Sequence, residues 1–318
     1  MNKLRWGALG VSKFAMTKLL PATQKSERNI VTAIASRELS RARAAANEIG
    51  AEKAYGSYEE LLADADIDVV YNPLPNHLHV PWSIRAADAG KHVLCEKPLG
   101  LDAAEVERLI AVRDRHRVTI GEAFMVRTHP QWVRTVAAVR AGEIGDLRSM
   151  SMAFAYHNVD AANIRNRADI GGGALMDIGC YPIHLARWIF GTEPIRSHAA
   201  MDRDPAFGTD RLTTAVLDFG GGHASFTVST QAAPYQRTLI FGSRGRIEVE
   251  IPVNAPPDAP TRIWVNGVEE LFPVCDQYTI QADEFARAIR GEREVPVPLE
   301  DSLGNMRAID ALLASARL

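Results

Sequence analysis

Three cysteines in 318 residues, Cys95, Cys180 and Cys275, lie too far apart for a disulfide framework or a CxxC metal or redox pair. An excess of one charge is missing too. A formal net charge of −3 offers no basic footprint for neutralising a phosphate backbone, which excludes a general nucleic-acid binder. No apolar run approaches the roughly 20 residues needed to cross a bilayer. The apolar stretch behind Lys3 and Arg5 stops at Ser12-Lys13 with no small-residue cleavage site after it, so no signal peptide is expected. These absences point to a cytoplasmic protein that works on small molecules. What is present, 47% hydrophobic and 24% charged residues, is ordinary globular composition in a chain long enough for two domains.

Up to Gly121, short apolar β-rich runs alternate with helical stretches, the pattern of parallel strands joined by crossover helices. Strands are predicted at Leu4 to Leu9, Ile30 to Ala35, Lys53 to Tyr55, Val69 to Tyr71, His92 to Cys95 and Val118 to Ile120. Capping boxes, Ser57 with Glu60 and Asp102 with Glu105, open two of the helices between them. Pro21 predicts a kink or an early end in the first helix.

After Glu122 the texture changes. A helix over Gln131 to Arg140 leads into alternating runs that read as a mainly antiparallel sheet: Leu147 to His157, Arg211 to Phe219, His223 to Thr230, Thr238 to Gly242, Arg246 to Ile251 and Arg262 to Val265. Gly220-Gly221-Gly222 and Ser243-Arg244-Gly245 are expected to supply positive-φ positions for hairpins. Two helices, Ile280 to Arg290 and Ser302 to Ala316, close the chain. The expected architecture is α/β: a dinucleotide-binding Rossmann domain with a parallel sheet over residues 1–121, and a substrate-binding α+β domain with an open sheet over residues 122–318.

Gly7-Ala-Leu-Gly10-Val-Ser12-Lys-Phe-Ala15 follows the first strand and opens the first helix, the context of a dinucleotide fingerprint. Gly10 suits the tight turn, and the segment Val11, Ser12, Lys13 and Phe14 would bring unpaired N–H groups to a pyrophosphate. Ser12 replaces the middle glycine of the pattern. After the second strand, where an acidic residue would hold a ribose 2′-hydroxyl, stands Ser36-Arg37, with Arg41 one turn on. A hydroxyl and a planar fork of donors suit a 2′-phosphate, so the expected cofactor is NADP rather than NAD. Leu74, Pro75, Asn76 and His79 follow the strand ending at Tyr71, and Glu96-Lys97-Pro98 follows the strand ending at Cys95. In open α/β sheets, ligands bind at that edge.

With Gly10, Pro75-Asn76, Glu96-Lys97-Pro98, Gly171-Gly172-Gly173-Ala-Leu-Met-Asp177-Ile-Gly-Cys-Tyr181 and Gln281-Ala-Asp-Glu-Phe285, the chain resembles the glucose-fructose oxidoreductase/inositol dehydrogenase family along nearly its whole length. The resemblance implies that Lys97 lies beside the nicotinamide and the reacting carbon, with Pro75, Asn76, His79 and Glu96 on the cofactor side. It also implies a homodimer or homotetramer assembled through the exposed face of the second sheet. The inositol branch carries Asp-x-x-x-His-x-x-Asp where this chain has Asp177, Tyr181 and His184. Tyrosine there, with Asn163-Ile-Arg165 upstream, is similar instead to the sugar dehydrogenase and trans-dihydrodiol dehydrogenase branch.

Asp177, Tyr181 and His184 stand at i, i+4 and i+7, which places them on one helical stripe. Taking hydride from an alcohol carbon requires a base for the hydroxyl proton. Tyr181 is the expected acid/base, its phenol made easier to ionise by the Lys97 ammonium, and Asp177 is expected to accept from the substrate hydroxyl or from Lys97. Phe124, Tyr156, Asn163, Arg165 and His184 are expected substrate contacts, and Arg127 a phosphate or sugar contact. The glycine triplet is expected to be a flexible turn whose N–H groups approach a ligand. No metal is required, because the histidines lack carboxylate or cysteine partners at ligand spacing. The expected activity is therefore NADP(H)-dependent hydride transfer at a ring C–OH/C=O of a sugar or cyclic polyol. The alternatives are trans-dihydrodiol dehydrogenase and a non-catalytic NADP-binding sensor, since the family also resembles the yeast galactose-pathway repressor.

Overall fold

In the computed structural model, which describes residues 2–316, six parallel strands come first: β1 (Leu4–Leu9), β2 (Asn29–Ala35), β3 (Lys53–Tyr55), β4 (Val69–Asn72), β5 (His92–Cys95) and β6 (Ile120–Glu122). Their spatial order is β3-β2-β1-β4-β5-β6, so the winding reverses between β1 and β4. That reversal opens a crevice at the carboxyl ends of the strands, where Gly10 and Leu74 lie. The connections carry a π-turn at Ala15–Leu19 followed by α1 (Leu20–Gln24), then α2 (Leu39–Ile49), α3 (Tyr58–Ala63), α4 (His79–Asp88) and α5 (Ala103–His116). Pro21 sits in the first turn of α1, where its missing N–H costs nothing, and the preceding helix ends there. Ser57 caps α3 by accepting the N–H of Glu60 at 3.1 Å; the Glu60 carboxylate reaches back to the N–H of Gly56 rather than to that of the cap.

The second part begins with α6 (Pro130–Arg140) and β7 (Leu147–His157), continues through a π-turn at Leu175–Gly179 into α7 (Cys180–Phe190), and then builds a sheet. Its strands are β8 (Arg196–Arg203), β9 (Asp210–Asp218), β10 (His223–Ser229), β11 (Gln231–Gly242), β12 (Arg246–Val249), β13 (Thr261–Val265) and β14 (Val268–Phe272), with β7 inserted between β11 and β10. The β7–β10 pair is parallel and the others are antiparallel. The edge strands β8 and β14 escape the sequence pattern because neither has a fully buried face for alternation to mark. β11 starts earlier than expected, since a register irregularity at Gln231/Tyr235 accommodates Pro234. Gly220 has the predicted positive φ of +78°, whereas Gly245 does not. Gly245 is needed because a Cβ would collide with the Asn266 amide.

Two helices, α8 (Gln277–Ile289) and α9 (Leu299–Ser315), end the chain. By mutual contact the chain forms two compact units. One contains residues up to Gly100, Ala104–Thr128 and Asp276–Leu303; the other contains Leu101–Ala103, His129–Cys275 and residues from Gly304 on. A single boundary at residue 121 does not describe this, because Asp276–Leu303 returns to the first unit. Burial explains the return. Phe285 of α8 is 1% exposed in the same core as the fully buried Trp6, their rings edge to face at 6.1 Å, and each such burial contributes about 2 kcal/mol or more. Asn29 accepts the Trp6 indole N–H at 2.8 Å, so that core has no unmet donor at its largest side chain.

Candidate active site

The first unit gathers its polar groups at the ends of β1, β2, β4 and β5. Gly10 has φ of +84°, and its N–H donates to the Ala35 carbonyl at 2.8 Å. A Cβ there would meet Leu74 Cδ2 at 3.1 Å and the Tyr58 hydroxyl at 3.4 Å, so conformation and space both select glycine. Ser12 Oγ accepts the N–H of Ala15 at 3.1 Å; it caps the helix and keeps a hydroxyl proton to donate. Val11 and Lys13 complete the turn, and Phe14 lies edge-on to Tyr278 with ring centres 5.6 Å apart.

Ser36 is buried at the end of β2, whereas Arg37 and Arg41 are exposed and neither makes an ion pair among the described residues. Both guanidiniums act on the Tyr58 phenol, whose pKa burial nevertheless holds above its ordinary value. Gly10, Arg37, Arg41 and Tyr58 therefore share one neighbourhood. Two cations that make no ion pair among the described residues, beside a helix start, suit an anion.

Around Lys97 the backbone is fixed at several points. The Lys97–Pro98 peptide is cis. The Tyr71 hydroxyl donates to Glu96 Oε1 at 2.7 Å, and the N–H of Leu99 donates to Glu122 Oε1 at 2.8 Å. Burial, then the Glu96 carboxylate, pushes the Tyr71 phenol well above its ordinary pKa, which keeps it a donor. His79 is 1% exposed; its Nδ1 lies 2.8 Å from the Pro98 carbonyl oxygen and its Nε2 2.6 Å from that of Leu74. Burial, aided by the Lys97 ammonium, lowers its pKa to about 4, against the pull of the two carbonyls. His79 thus lies inside the unit against the backbone of the Leu74-Pro75-Asn76 and Lys97-Pro98 turns. Arg127 pairs with Asp301 at 3.3 Å, and Phe124 is buried against an internal cavity shared with Glu122, Gln281 and Phe285.

The second unit builds a different cluster. Asp177 Oδ2 accepts from the Tyr156 hydroxyl at 2.6 Å and from Arg165 Nε at 2.9 Å. The Asp177 charge is the largest influence holding the Arg165 guanidinium above its ordinary pKa, and the Tyr181 phenol acts in the same direction. Burial and Asp177 push Tyr156 up as well, so it remains a neutral donor. Tyr156, Arg165, Asp177 and Tyr181 are therefore brought together, with Phe154 edge-on to Tyr181 at 6.1 Å and Asn163 capping the short turn that carries Arg165. His184 is buried on α7. Asp177 lies in the π-turn and Tyr181 and His184 in the α-helix that follows it, so the expected helix changes its winding between Asp177 and Tyr181.

The glycine triplet is corrected too. Its N–H groups donate to chain carbonyls: Gly171 to Ala168, Gly172 to Arg167 and Gly173 to Arg165. A Cβ on Gly172 would meet the carbonyl oxygens of Arg165 and Arg167 at 2.5 and 2.7 Å, and one on Gly173, at φ +117°, would collide with Asp210 Oδ1. These glycines let the Arg165 segment pack closely rather than supplying flexibility. Asp210 Oδ2 in turn accepts the N–H of Leu175 at 2.8 Å and the Thr213 hydroxyl at 2.6 Å, anchoring the π-turn under Asp177.

Comparison with known proteins decides the family. Residues 4–124 match the oxidoreductase family with an NAD-binding Rossmann fold, and residues 132–248 match the GFO/IDH/MocA C-terminal domain. An uncharacterized oxidoreductase of Rhizobium meliloti is 48% identical over 99% of this chain and 98% of its own. The chain belongs to the GFO/IDH/MocA oxidoreductase family. A second member, the D-xylose 1-dehydrogenase (NADP(+)) 2 of Haloferax volcanii, is 38% identical over 98% of this chain and 97% of its own. Among solved GFO/IDH/MocA structures, KijD10, a 3-ketoreductase from Actinomadura kijaniata in complex with NADP and TDP-benzene, aligns with a TM-score of 0.92 at 33% identity, covering 99% of this chain and 98% of that one.

Four residues of this GFO/IDH/MocA chain that support the two clusters were not singled out by sequence. Tyr58 could have been noticed, since it directly follows the Ser57 cap after β3. The sequence marks Tyr71 only as the end of a strand and Glu122 only as the point where the texture changes, and Asp210 meets Leu175 only across 35 residues of chain. Among the described residues no group of three or more His, Cys, Asp or Glu is placed to hold a metal, and no helix is long and apolar enough to cross a membrane.

Proposed function

We propose that the protein is an NADP(H)-dependent oxidoreductase that moves hydride between nicotinamide and a ring C–OH/C=O carbon of a sugar. The observation that carries the cofactor choice is Ser36 followed by Arg37 and Arg41, two exposed guanidiniums without carboxylate partners, where an NAD site would place an acid. Gly10, Val11, Ser12, Lys13 and Phe14 would hold the pyrophosphate, with Leu74, Pro75, Asn76, Glu96 and Lys97 towards the nicotinamide. Arg127, already paired with Asp301, would serve at the edge of that site.

When bound, NADP+ accepts the hydride. The chain's own part concerns the proton. Oxidising a ring alcohol releases a proton from the hydroxyl, which the Tyr181 phenol oxygen takes up and returns in reduction, while the Lys97 ammonium favours the ionised phenol. Asp177, its Oδ2 fixed by Tyr156 and Arg165, orients a sugar hydroxyl. Asn163 and His184 belong to the surrounding frame of the second unit. The relatives named for D-xylose and for a 3-ketoreductase support a sugar or sugar-nucleotide substrate. A second copy would cover the exposed face of the second sheet, where Leu212, Val216, Tyr235 and Phe241 are 39%, 43%, 57% and 41% exposed.

Two measurements test this reading. Trp fluorescence should respond to NADP+ at lower concentration than to NAD+, and the reverse order rejects the Arg37 argument. Absorbance at the reduced-nicotinamide band should reveal turnover among D-xylose, other aldoses, TDP-linked ketosugars and dihydrodiols. In that assay Lys97→Met and Tyr181→Phe should each lower kcat by about 100-fold or more with dinucleotide affinity nearly intact. Silence with every substrate supports the sensor alternative.

A further inference from the structure

Three positions flanking Lys97 are each anchored from a different element of the first unit. Ahead of it, Glu96 is held by the Tyr71 hydroxyl of β4. After it, the Pro98 carbonyl lies against the His79 ring at the start of α4, and the Leu99 N–H is held by the Glu122 carboxylate of β6. All three anchors are buried: Tyr71 is 0%, His79 1% and Glu122 3% exposed. His79 is itself fixed, because Asn72 Nδ2 donates to its backbone carbonyl at 2.9 Å and to the Ser83 hydroxyl at 3.2 Å. Backbone bonds add to the frame: Glu96 N–H donates to Asn72 at 3.0 Å, and Ala123 N–H to Cys95 at 2.8 Å.

We propose that Tyr71, His79 and Glu122 are positioning residues that hold the Lys97 turn from three sides. A lysine side chain has four rotatable bonds and sits where its backbone starts it; fixing the residues on both sides of it limits the volume its ammonium explores. A buried N–H without an acceptor would turn to find one, and here that would carry the turn with it. The inference rests on the role given to Lys97 above.

The test uses full-length protein with 13Cε-labelled lysine, the Lys97 resonance being assigned as the one missing from Lys97→Arg. In Tyr71→Phe and Glu122→Ala that resonance should broaden or shift, and NADP+-dependent turnover of D-xylose should fall by about 10- to 100-fold in kcat with NADPH affinity changed less than about threefold. An unchanged Lys97 resonance in Tyr71→Phe and Glu122→Ala overturns the proposal. Should Glu122→Ala not fold, Tyr71→Phe, which removes one oxygen, decides by the same readout. Full turnover by Lys97→Met would sink the functional reading instead, leaving the spectroscopic result to judge the positioning claim.

Discussion

The two polar clusters are assembled by opposite means. In the first unit each polar segment begins at or directly after the end of a parallel strand: Gly10 after β1, Ser36 and Arg37 after β2, Leu74 to Asn76 after β4, and Glu96 and Lys97 after β5. A parallel sheet delivers all these ends to one edge, so the cluster follows from strand order alone. In the second unit, Tyr156 ends β7, Arg165 rides a short turn, Asp177 lies in a π-turn, and Asp210 starts β9. No shared edge collects them; a chain of specific contacts does. The strand-end segments of the first cluster should therefore stay at one edge when any one side chain is lost, whereas the second cluster depends on each partner.

The largest test compares buried histidines in the two units. His79 and His129 both have pKa values lowered by burial to about 4, against about 6.5 when unfolded. Between those values the unfolded chain binds more protons, so stability is full above about pH 6.5 and falls as the pH drops towards 4. Each shift corresponds to about 3 kcal/mol at the acid end. Urea midpoints at pH 7 and pH 4.5 should show the decline, and a flat profile refutes it. His129→Asn should recover part of the loss if both units contribute.

Glycines give the next contrast. Gly173→Ala must place a methyl on Asp210 Oδ1 at a φ of +117° and should cost about 3 kcal/mol, displacing the π-turn as well. Gly10→Ala faces the movable end of Leu74 and should cost about 1 kcal/mol while impairing dinucleotide binding much more. Thermal melts and fluorescence titrations of the two variants should thus rank in opposite orders. Equal ranks would remove the distinction drawn between the clusters.

Arginines give the smallest effect. Arg165→Met takes a donor from the buried Asp177 and should cost about 1–2 kcal/mol by urea titration. Arg37→Met removes an exposed cation without a partner and should leave the urea midpoint where it is, while NADP+ affinity falls about 10-fold or more relative to NAD+.

Residue order alone determined the parallel-sheet half of this protein and the positions of its polar turns. Strands buried on both faces are continuous apolar runs, and the residues that follow them inherit one edge. It also determined the alternating strands β7, β9, β10 and β13 to within a residue or so, because each has one buried face. Tertiary structure decided the rest. It brought α8 back to the core of Trp6, gave the Asp177 segment π rather than α winding, and turned the glycine triplet from a flexible turn into a packing surface. It also supplied Tyr71, Glu122 and Asp210 as supports. The physical reason is range: periodicity records which face of an element is buried, but a hydrogen bond between residues 35 positions apart, such as Leu175 to Asp210, leaves no periodic trace.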